Sequence, residues 1–249
     1  MGGKQEKRPI VLLPGLDGTG KLFAPIIPLL AKAAAPLVIQ YPPDPSMGYE
    51  ALTDYVVPLL PKAPCVVVCE SFGGPIGVRV AARLRERVTG LVLIASFIAA
   101  PRARWLNLVN DLLPVNYVPQ TLIDLAMLSK ETPKEVAHIL QDISSDISPQ
   151  LVRRRLRYVL ACDEREAFRS AKCPALFIRG RQDRLIPASA ARLAKRLRPD
   201  TKVIELQDRT CYCRPKWTKL PAQSSNSQDI NWLQRAGDGL ILKARCLPS

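Results

Sequence analysis

The stretch that most constrains the fold runs Cys65-Val66-Val67-Val68-Cys69-Glu70-Ser71-Phe72-Gly73-Gly74-Pro75-Ile76-Gly77. A short β-branched apolar run that ends in a serine, followed by glycines leading into helical spacing, specifies a strand, a tight turn and a helix. A serine on a strained turn of this kind has its hydroxyl pushed clear of the backbone, and only small neighbours fit where strand and helix converge. Ser71 is the candidate nucleophile. The frame Cys69-Glu70-Ser71-Phe72-Gly73 follows the pattern G-x-S-x-G with cysteine, also small, at the first glycine. The plainer alternative is a glycine-rich turn with no chemistry.

Around this stretch, strand and helix alternate. Residues 10–13 form a short apolar run ending in Pro14-Gly15, as expected of a strand buried on both faces of a parallel sheet. The loop Gly15-Leu16-Asp17-Gly18-Thr19-Gly20 is rich in residues that tolerate unusual backbone angles. Helical spacing follows over residues 22–30, a second strand over 36–41 and a second helix over 49–60. After the strand ending at Glu70 and its helix, residues 89–96 form a fourth strand. Such alternation predicts an α/β fold, a mostly parallel sheet with flanking helices, whose functional loops gather at the carboxyl ends of the strands.

From 101 to 171 the strand signals vanish, and amphipathic helical segments punctuated by proline replace them. Thr132-Pro133-Lys134-Glu135 has the form of a capping box, and Ser148-Pro149 of a helix start. We read this region as a helical lid insertion that shapes a substrate pocket, Trp105, Leu108 and Tyr117 being candidate pocket residues. Strand and helix resume over residues 175–179, 188–197 and 202–206. The expected organisation is a core of residues 1–100 and 172–206, a lid of 101–171 and an atypical tail of 207–249.

Composition limits the alternatives. A chain of 249 residues with 47% hydrophobic content can bury a full core. No apolar run approaches the roughly 20 residues of a membrane span, and the N-terminal stretch lacks the form of a secretory signal. Seven cysteines, an odd number without metal-type spacing, fit a reducing compartment, and we expect a cytoplasmic protein. The one close pair, Cys211 and Cys213, lacks histidine partners nearby, so no metal is expected. The formal charge of +14 raises nucleic acid as a partner, but the basic residues are scattered and no aromatics interleave with them. Arg153, Arg154, Arg155 and Arg157 are expected to form a solvated helix face. Nucleic acid is not an expected partner, no membrane span is expected, and the oligomeric state stays open.

With these motifs in place the chain resembles the α/β-hydrolase family over residues 10–206. Pro14-Gly15-Leu16-Asp17-Gly18, Glu70-Ser71-Phe72-Gly73-Gly74 and Arg179-Gly180-Arg181-Gln182-Asp183-Arg184-Leu185-Ile186-Pro187 carry the resemblance, in order, each at the end of an expected strand. The resemblance implies acyl transfer without a cofactor, on a small-molecule ester. Ser71 would attack the carbonyl, and the backbone N–H groups of Leu16 and Phe72 would hold the oxyanion. Such preorganised donors are worth about 3 to 4 kcal/mol each. Asp183 would orient a histidine, although an aspartate there can equally cap a turn. A carboxylesterase is the leading expectation. An acyltransferase and a non-catalytic ligand-binding protein are the alternatives.

The family places its triad histidine after the last strand, and this sequence has none there. Its single histidine, His138, lies within the helical pattern of the lid and reads as an ordinary helix residue. The tail from Gln207 lacks an apolar period and resembles linker sequence. DNA encoding residues 208–218, read one base early with permissive codons, gives Gly-Pro-His-Leu-Leu-Leu-Gln-Ala-Lys-Val-Asp, the form of turn the family has around its histidine. A frameshifted or alternatively spliced tail is therefore expected, with low activity and with apolar surface exposed on residues 1–206.

Overall fold

A computed structural model describes residues 7–101, 138–139, 141–143, 146–181, 183 and 185–206. Six described strands, β1 (Pro9–Leu13), β2 (Ala35–Val38), β3 (Cys65–Glu70), β4 (Val88–Ile94), β5 (Ala175–Gly180) and β6 (Lys202–Leu206), form one sheet in the order β2-β1-β3-β4-β5-β6. Every pairing in it is parallel. The central strands are continuously apolar because both faces of a parallel sheet are covered by helices. Each of the six residues of β3 and of β5 is buried.

The α-helices named among the described residues are α1 (Ile27–Ala33), α2 (Tyr49–Val56), α3 (Gly73–Leu84), α4 (Pro149–Leu160), α5 (Arg165–Ser170) and α6 (Ala188–Leu197). One face of the sheet presents Val67, Cys69, Leu91, Leu93 and Phe177 to Ile76, Val80 and Ala81 of α3 and to Phe168 of α5. The other face presents Ile10, Leu12, Val66, Val68, Val92 and Ile178 to Phe23, Ile26 and Leu30. Residues at period two along each strand thus separate into two cores.

The register aligns the ends of the strands. Leu13 pairs with Cys69, Glu70 with Ile94, and Ile94 with Ile178. The loops after β1, β3, β4 and β5 therefore leave from one edge, the carboxyl edge, where the candidate residues lie. β2 and its successor are shorter than the sequence suggests: the strand stops at Val38, and the second helix passes after Val56 into a 3-10 turn, Val57–Leu59, where Pro58 ends the α-helical ladder.

Residues 98–100, after β4, lie beside residues 162–164, before α5. Ala99 and Asp163 form an antiparallel bridge, the Ala100 N–H donates to the Cys162 carbonyl (2.8 Å), and the Glu164 N–H to that of Ile98 (2.7 Å). Ser148 caps α4 as its sequence suggests, its hydroxyl accepting from the Leu151 N–H at 3.2 Å with Pro149 in the first turn. The capping box at Thr132, the candidate pocket residues Trp105, Leu108 and Tyr117, and the whole tail from Gln207 lie outside the described residues.

The arginine-rich helix departs from its expected solvated face. Arg154 and Arg157 are exposed and Arg153 half-buried, but Arg155 is fully buried at 0% exposure. The reason is helical period: Arg155 sits four residues after Leu151 and four before Val159, both buried on the inward stripe of α4.

Candidate functional site

Ser71 occupies a turn that the surrounding structure over-determines. Its φ is +45°, in the left-handed region that costs a residue with a Cβ about 1 kcal/mol or more. The Ser71 N–H donates to the Ile94 carbonyl (2.9 Å), and the Ser71 carbonyl accepts from the Gly74 N–H (3.0 Å) and from the Ser96 hydroxyl (2.6 Å). Ser96 is fully buried, and Ala95 just before it also has positive φ, +44°. The turn after β4 thus braces the turn after β3. The side chain of Ser71 itself is only half-buried.

Each glycine of the elbow has a stated neighbour. A Cβ at Gly73 would lie 2.6 Å from the Pro14 carbonyl oxygen and 2.7 Å from that of Leu13, so the helix start packs directly on the end of β1. A Cβ at Gly74 would overlap the Ser96 hydroxyl, and one at Gly77 the Cys69 sulfur. Cysteine replaces the first glycine of the pattern because Gly77 leaves room for it. Burial pushes the Cys69 thiol far above its ordinary range, so it is a packing group here.

The loop after β1 lies against this elbow. Gly18 and Gly20 have φ of +74° and +73°, the Gly18 N–H donates to the Gly15 carbonyl (3.1 Å), and the Gly18 carbonyl accepts from the Tyr41 N–H (2.9 Å). Asp17 turns the loop by accepting from the N–H of Thr19 at 2.8 Å. Among the described residues, no backbone acceptor takes the N–H of Leu16 or of Phe72. The Glu70 carboxyl lies beside Gly15, where a Cβ would come within 3.4 Å of it, and Glu70 is buried. Burial, helped by the charge of Asp17 and opposed by the Gly15 N–H, pushes the Glu70 carboxyl up to about 8.

Asp183 is also buried, on the loop that follows β5 at the same edge of the sheet. Its Oδ1 accepts from the N–H groups of Leu185 and Ile186, both at 2.9 Å, so the turn-capping role is real. Its Oδ2 is buried and has no hydrogen-bond partner among the described residues. Burial raises this carboxyl above its ordinary value, opposed by those two N–H groups and by Arg179.

The structure therefore brings Leu16, Ser71 and Phe72 together at the edge of β1 and β3. Asp183 follows β5, which β4 separates from β3. His138 is exposed in a short helical stretch. No group of three or more metal-ligating side chains occurs among the described residues. An open cleft of about 630 Å³ lined by Pro45, Ser46, Gln150, Arg153, Arg154 and Arg157 contains none of these candidates.

Three participants escape a reading by motif. Ser96 has no pattern of its own, and its role follows from strand pairing. Glu70 occupies the unspecified position before Ser71. Arg155 was findable, because its spacing from Leu151 and Val159 places it inward.

The chain belongs to the alpha/beta hydrolase family, whose model matches residues 10–210. Solved structures with this fold include one from a study of carboxylesterases of the thaumarchaeon Nitrososphaera gargenis, at 16% identity and TM-score 0.67, covering 82% of this chain and 83% of that one. The enol-lactonase from Burkholderia xenovorans LB400 is 20% identical with TM-score 0.63, the match covering 83% and 85% of the two chains. An esterase from Exiguobacterium antarcticum is 15% identical with TM-score 0.67, covering 81% and 84%. No curated protein matches the sequence.

Proposed function

We propose that this chain is built as a serine hydrolase acting on a small or medium carboxylic ester, through an acyl-enzyme on Ser71. The observation that carries the reading is the strained Ser71 turn, φ +45°, held from β4 by Ile94 and Ser96. Strain of this kind persists where the surrounding structure fixes it, and it concentrates at functional sites. In the proposed step Ser71 Oγ bonds to the substrate carbonyl carbon, its proton passes to a base, and the carbonyl oxygen becomes an oxyanion facing the Leu16 and Phe72 N–H groups. Collapse expels the alcohol, which takes the proton. Water then repeats the sequence and releases the acid. The carboxylesterases and the enol-lactonase with this fold make ester and lactone carbonyls the first substrates to try. Four buried, unpaired thiols, Cys65, Cys69, Cys162 and Cys173, agree with a reducing compartment such as the cytoplasm.

The base is the missing part. Asp183 would orient an imidazole through Oδ2, and no histidine follows β6 in the sequence. We infer that a displaced reading frame or alternative splicing has replaced the histidine turn, which sequencing the DNA across residues 206–218 decides. That orphaned Oδ2 also favours a second reading, a ligand-binding protein on the same scaffold that no longer turns substrate over. A fluorophosphonate probe separates the two: labelling that disappears in Ser71→Ala supports an activated serine, and absence of labelling in the intact chain favours the binding protein.

A further inference from the structure

We propose that Arg155 is a positioning residue that ties together the two peptides whose N–H groups face the oxyanion in the hydrolase reading above, on which this inference rests. One guanidinium reaches both. Its Nη1 donates to the Leu16 carbonyl at 2.7 Å, and its plane lies over the Phe72 ring, 5.6 Å from the ring centre. Nη2 donates to the Pro42 carbonyl at 2.9 Å, and the Tyr41 ring lies 5.8 Å from the guanidinium on another side. Leu16 is thereby held through its backbone and Phe72 through its side chain, from a single helix that belongs to neither loop.

The site is built to admit this side chain. Gly18, already at positive φ, passes so close that a Cβ there would lie 2.7 Å from Nη1. The Tyr49 ring packs against Phe72 with ring centres 4.8 Å apart and planes tilted by 32°. No described carboxylate forms an ion pair with Arg155, so its charge is met by two carbonyls, two aromatic faces and the nearby charge of Asp17. A buried arginine without an ion-pair partner is costly compared with an apolar residue of the same volume. Packing α4 against the core would need only leucine or methionine. What arginine adds is a planar fork that fixes two backbone oxygens at once, which lysine cannot reproduce.

The test uses the full chain with R155M and R155K, and R154M as a control on the exposed face of the same helix. Amide hydrogen exchange at Gly18, whose N–H bonds the Gly15 carbonyl across Leu16, and at Gly74, whose N–H bonds the Ser71 carbonyl across Phe72, is expected to quicken at least tenfold in R155M, less in R155K, with β1 and β4 amides unchanged. In R154M it stays at the wild-type rate. Phenylboronic acid, which bonds through boron to Ser71 Oγ while the serine proton leaves to solvent, is expected to bind at least tenfold more weakly in R155M. Wild-type exchange at both amides in a folded R155M overturns the proposal, and so does faster exchange with unchanged boronate affinity, since Arg155 would then only pack. If R155M fails to fold, R155K decides by the same two readings. If the unaltered chain takes no boronate, the hydrolase reading fails, and exchange alone decides whether Arg155 holds the two peptides.

Discussion

The Cys69 thiol fills the space that a side chain at residue 77 would need: a Cβ on Gly77 would overlap Cys69 Sγ. The two positions are coupled across the joint between β3 and α3. Gly77→Ala gains helix propensity of up to about 1 kcal/mol but forces the overlap, and the clash wins, with an expected net loss of about 2 kcal/mol. In the Cys69→Gly background the same substitution is expected to be neutral or favourable. Denaturant unfolding of the double-mutant cycle measures the coupling, and equal costs in both backgrounds would show that the joint gives way instead.

Glu70 makes stability depend on pH. Its folded carboxyl titrates at about 8 against an ordinary 4.5, so the native state holds a proton that the unfolded chain has released between those values. Stability is therefore full below about 4.5 and falls as pH rises through about 8, by as much as a few kcal/mol on the order of 1.4 per unit. Glu70→Gln should flatten that slope and be more stable than the parent at pH 8. Thermal unfolding across the range is the measurement, and a parallel slope in both proteins would remove Glu70 as its source.

Ser71 sits where glycine would be at ease. Ser71→Gly is expected to raise stability by about 1 kcal/mol by releasing the positive-φ strain, while eliminating fluorophosphonate labelling. Stability that falls instead would mean that the serine hydroxyl contributes more than its backbone costs.

Asp183 predicts chemical rescue. Added imidazole should accelerate phosphonylation of Ser71 at least tenfold, because the unpartnered Oδ2 can orient it and stabilise the imidazolium. In Asp183→Asn the acceleration should vanish while the slow background reaction remains. Equal acceleration in both chains would show free imidazole acting from solution without the carboxylate.

The fold was legible because apolar runs of four to seven residues and helical periods alternate from Pro9 to Ile94 and again from Ala175 to Leu206. The elbow was legible for a related reason: serine followed by closely spaced glycines has few uses other than a tight strand-to-helix turn. Ser96 could not be read from its surroundings in the chain, since its contact with Ser71 depends on β3 and β4 being neighbours. Arg155 was misjudged because charge was weighed ahead of period, and the inward stripe of Leu151 and Val159 overrides the expectation that arginine faces water.

The bridge between Ala99 and Asp163 sets the two ends of the segment 100–162 side by side. Seen as a cassette boundary, it lets everything between be exchanged for another segment while the pairing of β4 with β5 stays as it is. The exchange would not be neutral, because α4 travels with the cassette and carries the arginine that grips Leu16. A graft chosen only for a new pocket would arrive with a slack loop after β1 unless an arginine is kept at the register of residue 155.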